Sequence, residues 1–299
     1  MLIGNQERLK FKNFLLKCIQ IASMRIHFFC LCVKMKIMEW EVMIKCIKTI
    51  KEKSRFALLY KITNGECKIE TDNDSYFMAQ TKIGYPVWVW TKKNMSKNKM
   101  KEVQDKMKNF IIDNDKVNFT CKKEFYDILK NNKFDVLTND YFEMGSYYCN
   151  QTIKPKIAKG NIFLATMEDV EILANYHIWD NKEINKIDIS KNEAVKHISE
   201  LIEKNVFYVW RDENNKIVST AVLNTNLQFA RINHVYTPVE ERCKGYAKNL
   251  IYGLTNKALN EGFIPVLYTD YNYPASNKAY IAVGYEDVGV LINFSCQSL

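Results

Sequence analysis

Asn233-His234-Val235-Tyr236-Thr237-Pro238-Val239-Glu240-Glu241-Arg242-Cys243-Lys244-Gly245-Tyr246-Ala247 is the stretch that decides how this 299-residue chain is read. An apolar and aromatic run ends at Pro238, a short charged loop follows, and Arg242-x-x-Gly245-x-Ala247 opens a segment of helical periodicity. The spacing predicts a strand, a loop and a helix N-terminus. Such a junction attracts anions, because the first N–H groups of a helix have no intrahelical partner and the aligned peptide dipoles add roughly half a positive charge there. Gly245 lets the backbone approach a phosphate that a β-carbon would hold off. Ala247, Leu250, Ile251, Leu254 and Ala258 fall on one helical face, and Gly262 stands just past the end.

Outward from that loop, Ile162 to Ala165 reads as a strand and Met167 to Trp179 and Lys191 to Lys204 as helices, the second opened by a Ser190/Glu193 capping box. Val206 to Trp210 and Lys216 to Leu223 read as a hairpin turning at residues 212–215, and Phe229 to Tyr236 as the strand entering the loop. Leu267-Tyr268-Thr269-Asp270, Pro274-x-Ser276-Asn277-Lys278-x-Tyr280 and Gly284-Tyr285 follow the long helix.

Arg242-Cys243-Lys244-Gly245-Tyr246-Ala247 fits the Q/R-x-x-G-x-G/A signature, and in this context the C-terminal half, from about residue 160 to 295, resembles the GNAT superfamily of acyl-CoA-dependent N-acetyltransferases. Neither a G-x-G-x-x-G after a strand nor a P-loop occurs. The resemblance implies a mixed α/β (α+β) sheet and acetyl-CoA as cosubstrate. It further implies direct attack by a primary amine in a ternary complex, the amine belonging to a small molecule or a protein. The pyrophosphate would lie on the N–H groups of Cys243, Lys244, Gly245, Tyr246 and Ala247. Arg242 would help neutralise it or remain a solvated charge. Backbone near Val235, Tyr236 and Thr237 would hold the pantetheine arm and polarise the carbonyl, with the Tyr236 ring serving equally well as core. Asn277 would contact CoA, while Ser276 reads equally as a helix N-cap.

Tyr280 matches the tyrosine that in this family protonates the departing thiolate, and its other reading is an aromatic anchor between helix and sheet. The glutamate that many members carry early on the fourth strand is missing from Leu227-Gln228-Phe229-Ala230-Arg231. His234 is the substitute base by side-chain chemistry, or a hydrogen-bonded wall residue; Asp270 with a water relay is a further option. A binding module that holds acyl-CoA without turnover, as a ligand or sensor, is the alternative from another class.

The first half reads as a smaller mixed α/β domain over residues 38–155, following an extension over 1–37 and preceding the GNAT domain over 156–299. It has a helix from Glu39 to about Tyr60, strands at Tyr76 to Lys82, Pro86 to Thr91, Val117 to Thr120 and Tyr141 to Cys149, a basic loop running into a solvated helix over Lys92 to Lys108, and a helix from Lys123 to Lys130. That order suits a degenerate GNAT-like repeat, although no Q/R-x-x-G-x-G/A occurs in it. Trp88 and Trp90 are candidates for the wall of an acceptor cleft between the halves.

The formal charge of +9 invites a nucleic-acid partner, but residues 1–38 carry seven Lys or Arg against one Glu and hold most of the excess. No nucleic-acid partner is therefore expected. The apolar run at Ile26 to Val33 is too short to span a bilayer. Nine cysteines without a C-x-x-C pair suggest reduced thiols in the cytoplasm and no metal site. Cys243 would contribute its N–H more than its thiol. A homodimer is compatible with all of this.

Overall fold

Runs rich in residues that fit a pleated surface, such as Val87-Trp88-Val89-Trp90 and Phe207-Tyr208-Val209-Trp210, occur on both sides of the chain midpoint. They assemble into one sheet rather than two. The computed structural model describes residues 46–111, 116–134 and 136–297. The expected extension over 1–37 and the first residues of the helix expected from Glu39 lie outside the described residues.

The first half contains α1 (Ile50–Arg55), α2 (Ala57–Thr63), β1 (Lys68–Thr71), β2 (Tyr76–Gln80), β3 (Val87–Thr91), α3 (Lys97–Ile111), β4 (Lys116–Lys122), α4 (Lys123–Asn131) and β5 (Leu137–Tyr148). In the second half come β6 (Asn161–Leu164), a 3-10 turn (Met167–Asp169), α5 (Val170–Asp180), a π-helical turn (Asn181–Asn185), α6 (Lys191–Glu203), β7 (Phe207–Arg211), β8 (Ile217–Asn226) and β9 (Phe229–Tyr236). A 3-10 turn (Val239–Glu241), α7 (Tyr246–Asn260), β10 (Ile264–Asp270), α8 (Pro274–Val283) and β11 (Glu286–Gln297) complete it.

Two details depart from the sequence expectation. The helix expected to run to Tyr60 breaks at Phe56, whose backbone leaves the helical region at φ −108° and ψ 25°. Its ring is fully buried edge-on to Trp88, with centroids 6.3 Å apart, so packing overrides continuity there. The short strand β1 was hidden in sequence by its polar content; Asp72 makes its hairpin, accepting from the N–H groups of Asp74, Ser75 and Tyr76 at 3.1, 2.7 and 3.1 Å.

The sheet order is β1-β2-β3-β4-β11-β5-β10-β9-β8-β7-β6. The element series β2-β3-α3-β4-α4-β5 repeats as β8-β9-α7-β10-α8-β11, with β3·β4 and β9·β10 as the parallel pairs. The last strand of each half crosses over: β11 lies between β4 and β5, and β5 lies between β10 and β11. A mixed α/β sheet with a GNAT-type second half is thus what the chain builds, joined to the first half by exchanged strands.

The cores follow the same logic. Trp88 and Trp90 are 6 and 4% exposed and pack with Phe229 and Val266 across the two halves. Trp88 meets Tyr268 edge-on at 5.9 Å, and the Trp90 indole N–H donates to Glu52 at 2.8 Å. These tryptophans are core residues, not the walls of a cleft, because the shared sheet leaves no gap at that seam. Among the described residues no helix is long and apolar enough to cross a membrane.

Because β10 and β11 share β5 as a neighbour, a chain beginning near residue 157 lacks the strand between them. Such a chain is expected to show no cooperative thermal transition by circular dichroism, and a sharp two-state melt would contradict the exchanged-strand account.

Candidate active site

The site grows from the place where β9 and β10 part. They are paired in parallel from Phe229–Ile264 to Arg231–Val266, after which β10 continues beside β5 alone. On its other side β9 carries a bulge, since Val222 faces Asn233 and Thr220 faces Tyr236, leaving His234 and Val235 opposite a single residue. His234 adopts φ 49°, an unusual value for a side chain with a β-carbon. A bulge turns local N–H and C=O groups away from the ladder. Here it does so beyond the last paired residues of β9 and β10.

At the end of β9 the Tyr236 carbonyl accepts from the Ser219 hydroxyl at 3.2 Å, and the Thr237 hydroxyl lies 2.9 Å from that of Ser219. The chain then makes its 3-10 turn and reaches Arg242. Cys243 (φ 62°) and Gly245 (φ 88°) both take left-handed conformations, curling the loop over the start of α7. Gly245 caps α7 without a side chain. A β-carbon there would find open space, its nearest neighbour being Asn249 Nδ2 at 3.7 Å, so the glycine answers to the backbone angle and to what approaches from outside. Asn249 donates to the carbonyls of Gly245 and Lys156 at 3.0 and 2.9 Å, fixing the first turn. The first N–H groups of such a helix have no intrahelical partner, which suits its N-terminus to an anion.

The equivalent helix of the first half is closed off. At α3 the Ser96 hydroxyl accepts from the Lys99 N–H at 3.3 Å, and the Lys99 ammonium pairs with Asp72 at 3.0 Å and Glu102 at 2.7 Å.

The loop's own cations are already paired. Arg242 meets Glu183 with two nitrogens, each at 2.7 Å, and donates through Nε to the Thr237 carbonyl at 2.9 Å. Lys244 and Lys216 share Glu241 at 2.8 and 2.5 Å. Half-exposed pairs of this kind add on the order of 1 kcal/mol or less to stability. Their effect is to hold the loop's shape, and Arg242 ties it to the π-helical turn.

Tyr280 lies on α8, 8% exposed, with Tyr147 and Tyr285 rings at 6.4 and 6.2 Å. Burial, helped by the charge of Asp180, raises its phenol well above the ordinary value. Asn277 donates to the carbonyls of Asp270 and Tyr271 at 3.3 and 2.9 Å, while its buried Oδ1 has no partner among the described residues. Ser276 is not the N-cap: Pro274 occupies the first turn after Tyr273, and the Ser276 hydroxyl bonds to Thr269 at 2.9 Å and to the Tyr273 carbonyl at 3.0 Å.

Asp180 escaped the sequence reading because a lone aspartate at a helix end looks like any solvated charge. Its Oδ1 is buried without a partner among the described residues, and its charge acts on both Tyr236 and Tyr280. Burial, and then Glu183, pushes its carboxyl up to about 6. His234 is held neutral, its pKa lowered to about 4 by burial and by His177, His197 and Arg231. The three histidines come together, with ligand atoms all within 4.8 Å of one another, which no local spacing could have shown.

β9, the loop and the glycine-capped start of α7 follow one another as the sequence spacing predicts. Residues 172–285 match the model of the Acetyltransferase (GNAT) family. This region is a GNAT domain. Among solved structures, a GCN5-related N-acetyltransferase from Kribbella flavida is similar with a TM-score of 0.56 at 11% identity, covering 84% of this chain and 97% of its own. An acetyltransferase of the GNAT family from Colwellia psychrerythraea gives 0.51 at 12%, covering 76 and 84%. A conserved protein of unknown function from Staphylococcus epidermidis gives 0.50 at 14%, covering 78 and 95%. At such identities the likeness speaks to fold, and it extends into the first half of the chain. No curated protein matches this chain.

With the loop's cations already paired, the GNAT loop depends on backbone shape more than on charge. Gly245→Val is expected to weaken acetyl-CoA binding at least tenfold, about 1.4 kcal/mol, and Lys244→Ala to weaken it less; calorimetry on both variants checks this. Equal losses would contradict a backbone cradle.

Proposed function

We propose that the protein is an N-acetyltransferase that passes an acetyl group from acetyl-CoA to a primary amine by direct attack in a ternary complex. The observation that carries this reading is the parting of β9 from β10 beside the His234–Val235 bulge, directly upstream of the glycine-capped start of α7. N–H groups from Cys243 to Ala247 would hold the pyrophosphate, and Asn277 Oδ1 is a ready acceptor for a donor on the same cosubstrate. Backbone freed near Val235, Tyr236 and Thr237 would pair with the pantetheine arm and polarise the thioester carbonyl.

The amine arrives as an ammonium and must lose a proton before it attacks. Asp180 suits this role better than His234, since its buried Oδ1 has no partner among the described residues and its charge acts on both Tyr236 and Tyr280. A carboxyl at about 6 is ionised at neutral pH yet far more basic than a solvated one. The nitrogen then bonds to the carbonyl carbon and gives up its second proton, the carbon–sulfur bond breaks, and the sulfur takes a proton, so the nitrogen's second proton makes good the one the sulfur takes up. Tyr280 supplies that proton or a hydrogen bond toward it. Burial keeps its phenol protonated at neutral pH but also makes it a weaker acid, so donation must occur as charge develops on sulfur. The carboxyl environment around Asp180 suits a cationic amine acceptor, small or protein-borne.

Tyr280→Phe keeps the ring and removes the hydroxyl. Turnover should fall by roughly 10² to 10⁴ while melting temperature and acetyl-CoA affinity stay near wild type; an unchanged rate would remove Tyr280 from the chemistry. The base is read from a pH profile. kcat/KM should fall as pH drops through about 6, where Asp180 becomes protonated, and Asp180→Asn should lower the rate and abolish that limb. A limb that survives in the variant belongs to another group.

A further inference from the structure

The chain has four histidines, and three of them converge. His177 comes from α5, His197 from α6 and His234 from the β9 bulge. One nitrogen of each lies within 4.8 Å of the others. The rings of His177 and His197 stack with centroids 4.8 Å apart, and both stand within 5.7 and 5.6 Å of the His234 ring. From these positions we infer that His177, His197 and His234 form a binding site for a divalent transition-metal ion, with Zn²⁺ as the best-suited occupant.

Three observations support the inference beyond proximity. His197 Nε2 is buried and has no hydrogen-bond partner among the described residues, a cost unless some group satisfies its lone pair or its proton. Burial holds His177 and His234 in the neutral form that metal ligation requires. The bulge is the third: its left-handed turn at His234 sends that side chain toward the two helices in place of continuing the strand's alternation.

An all-imidazole set suits zinc, copper and nickel better than calcium or magnesium, which prefer oxygen. Zinc has no geometric preference from its d electrons, and three histidines leave its fourth position for water or an incoming ligand. At Zn–N distances of about 2.0–2.1 Å the nitrogens stand roughly 3.4 Å apart. Coordination therefore turns one ring out of the stack and closes the longest separation by roughly 1.5 Å, within reach of side-chain rotation. Asn181 adjoins the His177 nitrogens at 3.3 and 3.4 Å and donates to the His177 carbonyl at 2.9 Å, so it can steady that ring. Arg231 is the opposing charge, and it is the weakest of the four influences on His234. An ion so placed would pin α5 and α6 to the bulge.

The test uses the untagged full-length protein, stripped with a chelator and titrated with Co²⁺ and then Zn²⁺, with no acetyl-CoA present, so it stands apart from the acetyl-transfer reading. The inference expects one Co²⁺ per chain with the intense visible absorption of a four-coordinate site, displacement by Zn²⁺, and a melting temperature that rises with Zn²⁺. His197→Ala and His177→Gln should each weaken Co²⁺ binding at least tenfold and remove the Zn²⁺-dependent rise in melting temperature, while His27→Ala changes neither. Two variants guard against one that folds poorly, with circular dichroism as the check. No binding by the wild type, or binding of equal strength in both variants, overturns the site.

Discussion

The pairing of β5 with β11 holds this structure together. Their antiparallel register runs from Tyr148–Glu286 to Leu137–Cys296 at the middle of the sheet, and each is also the neighbour of the other half's penultimate strand. Buried backbone N–H and C=O groups must be paired, so removing either strand exposes two ladders at once. Gly145 and Ser146 stand opposite Val290 and Gly289 along this seam, and the fully buried Leu291, Ile292 and Phe294 supply its apolar surface. The outer edges are left to β1 and β6, each four residues long, which offer little to a foreign strand.

The site is a local consequence of that frame. With β5 beside it, β10 no longer needs β9 along its whole length, and β9 can part from it after Arg231. Past that point β9 leads into the loop before α7, which Arg242 ties to the turn after α5, and the Asp180 carboxyl at the end of α5 acts on both Tyr236 and Tyr280. The first half repeats the topology without the chemistry. Its helix α3 satisfies its own N-terminus through Ser96, and Lys99 is occupied by two carboxylates, so the dipole that α7 presents is spent internally there.

Much of this was legible in the sequence because its signals are local. The capping box at Ser190 and Glu193, the glycine after a charged loop and the alternation of apolar residues through β7 to β9 each specify geometry within a few residues. What was not legible depends on contacts between distant segments. Trp88 and Trp90 look the same in sequence whether they line a cleft or fill a core, and only the exchanged strands bury them. Arg242 looks like a phosphate ligand until Glu183, 59 residues away, takes its guanidinium. Asp180 and the three histidines gain meaning only when α5, α6 and the bulge meet. Phe56 interrupts a good helical stripe because its ring is worth more in the core than one more turn of helix.

The exchange of β5 and β11 also sets an order of events during synthesis. β11 leaves the ribosome well after β4 and β5, yet it fills the gap between them in the first half. The N-terminal half therefore emerges with two strand edges facing a vacancy that only the later-made β11 can close. Pairings of such high sequence separation form slowly, and unpaired edges invite association with other chains. The half without the Arg242–Ala247 loop is in this sense the more exposed partner at birth, and its safety depends on the prompt arrival of the half that carries it.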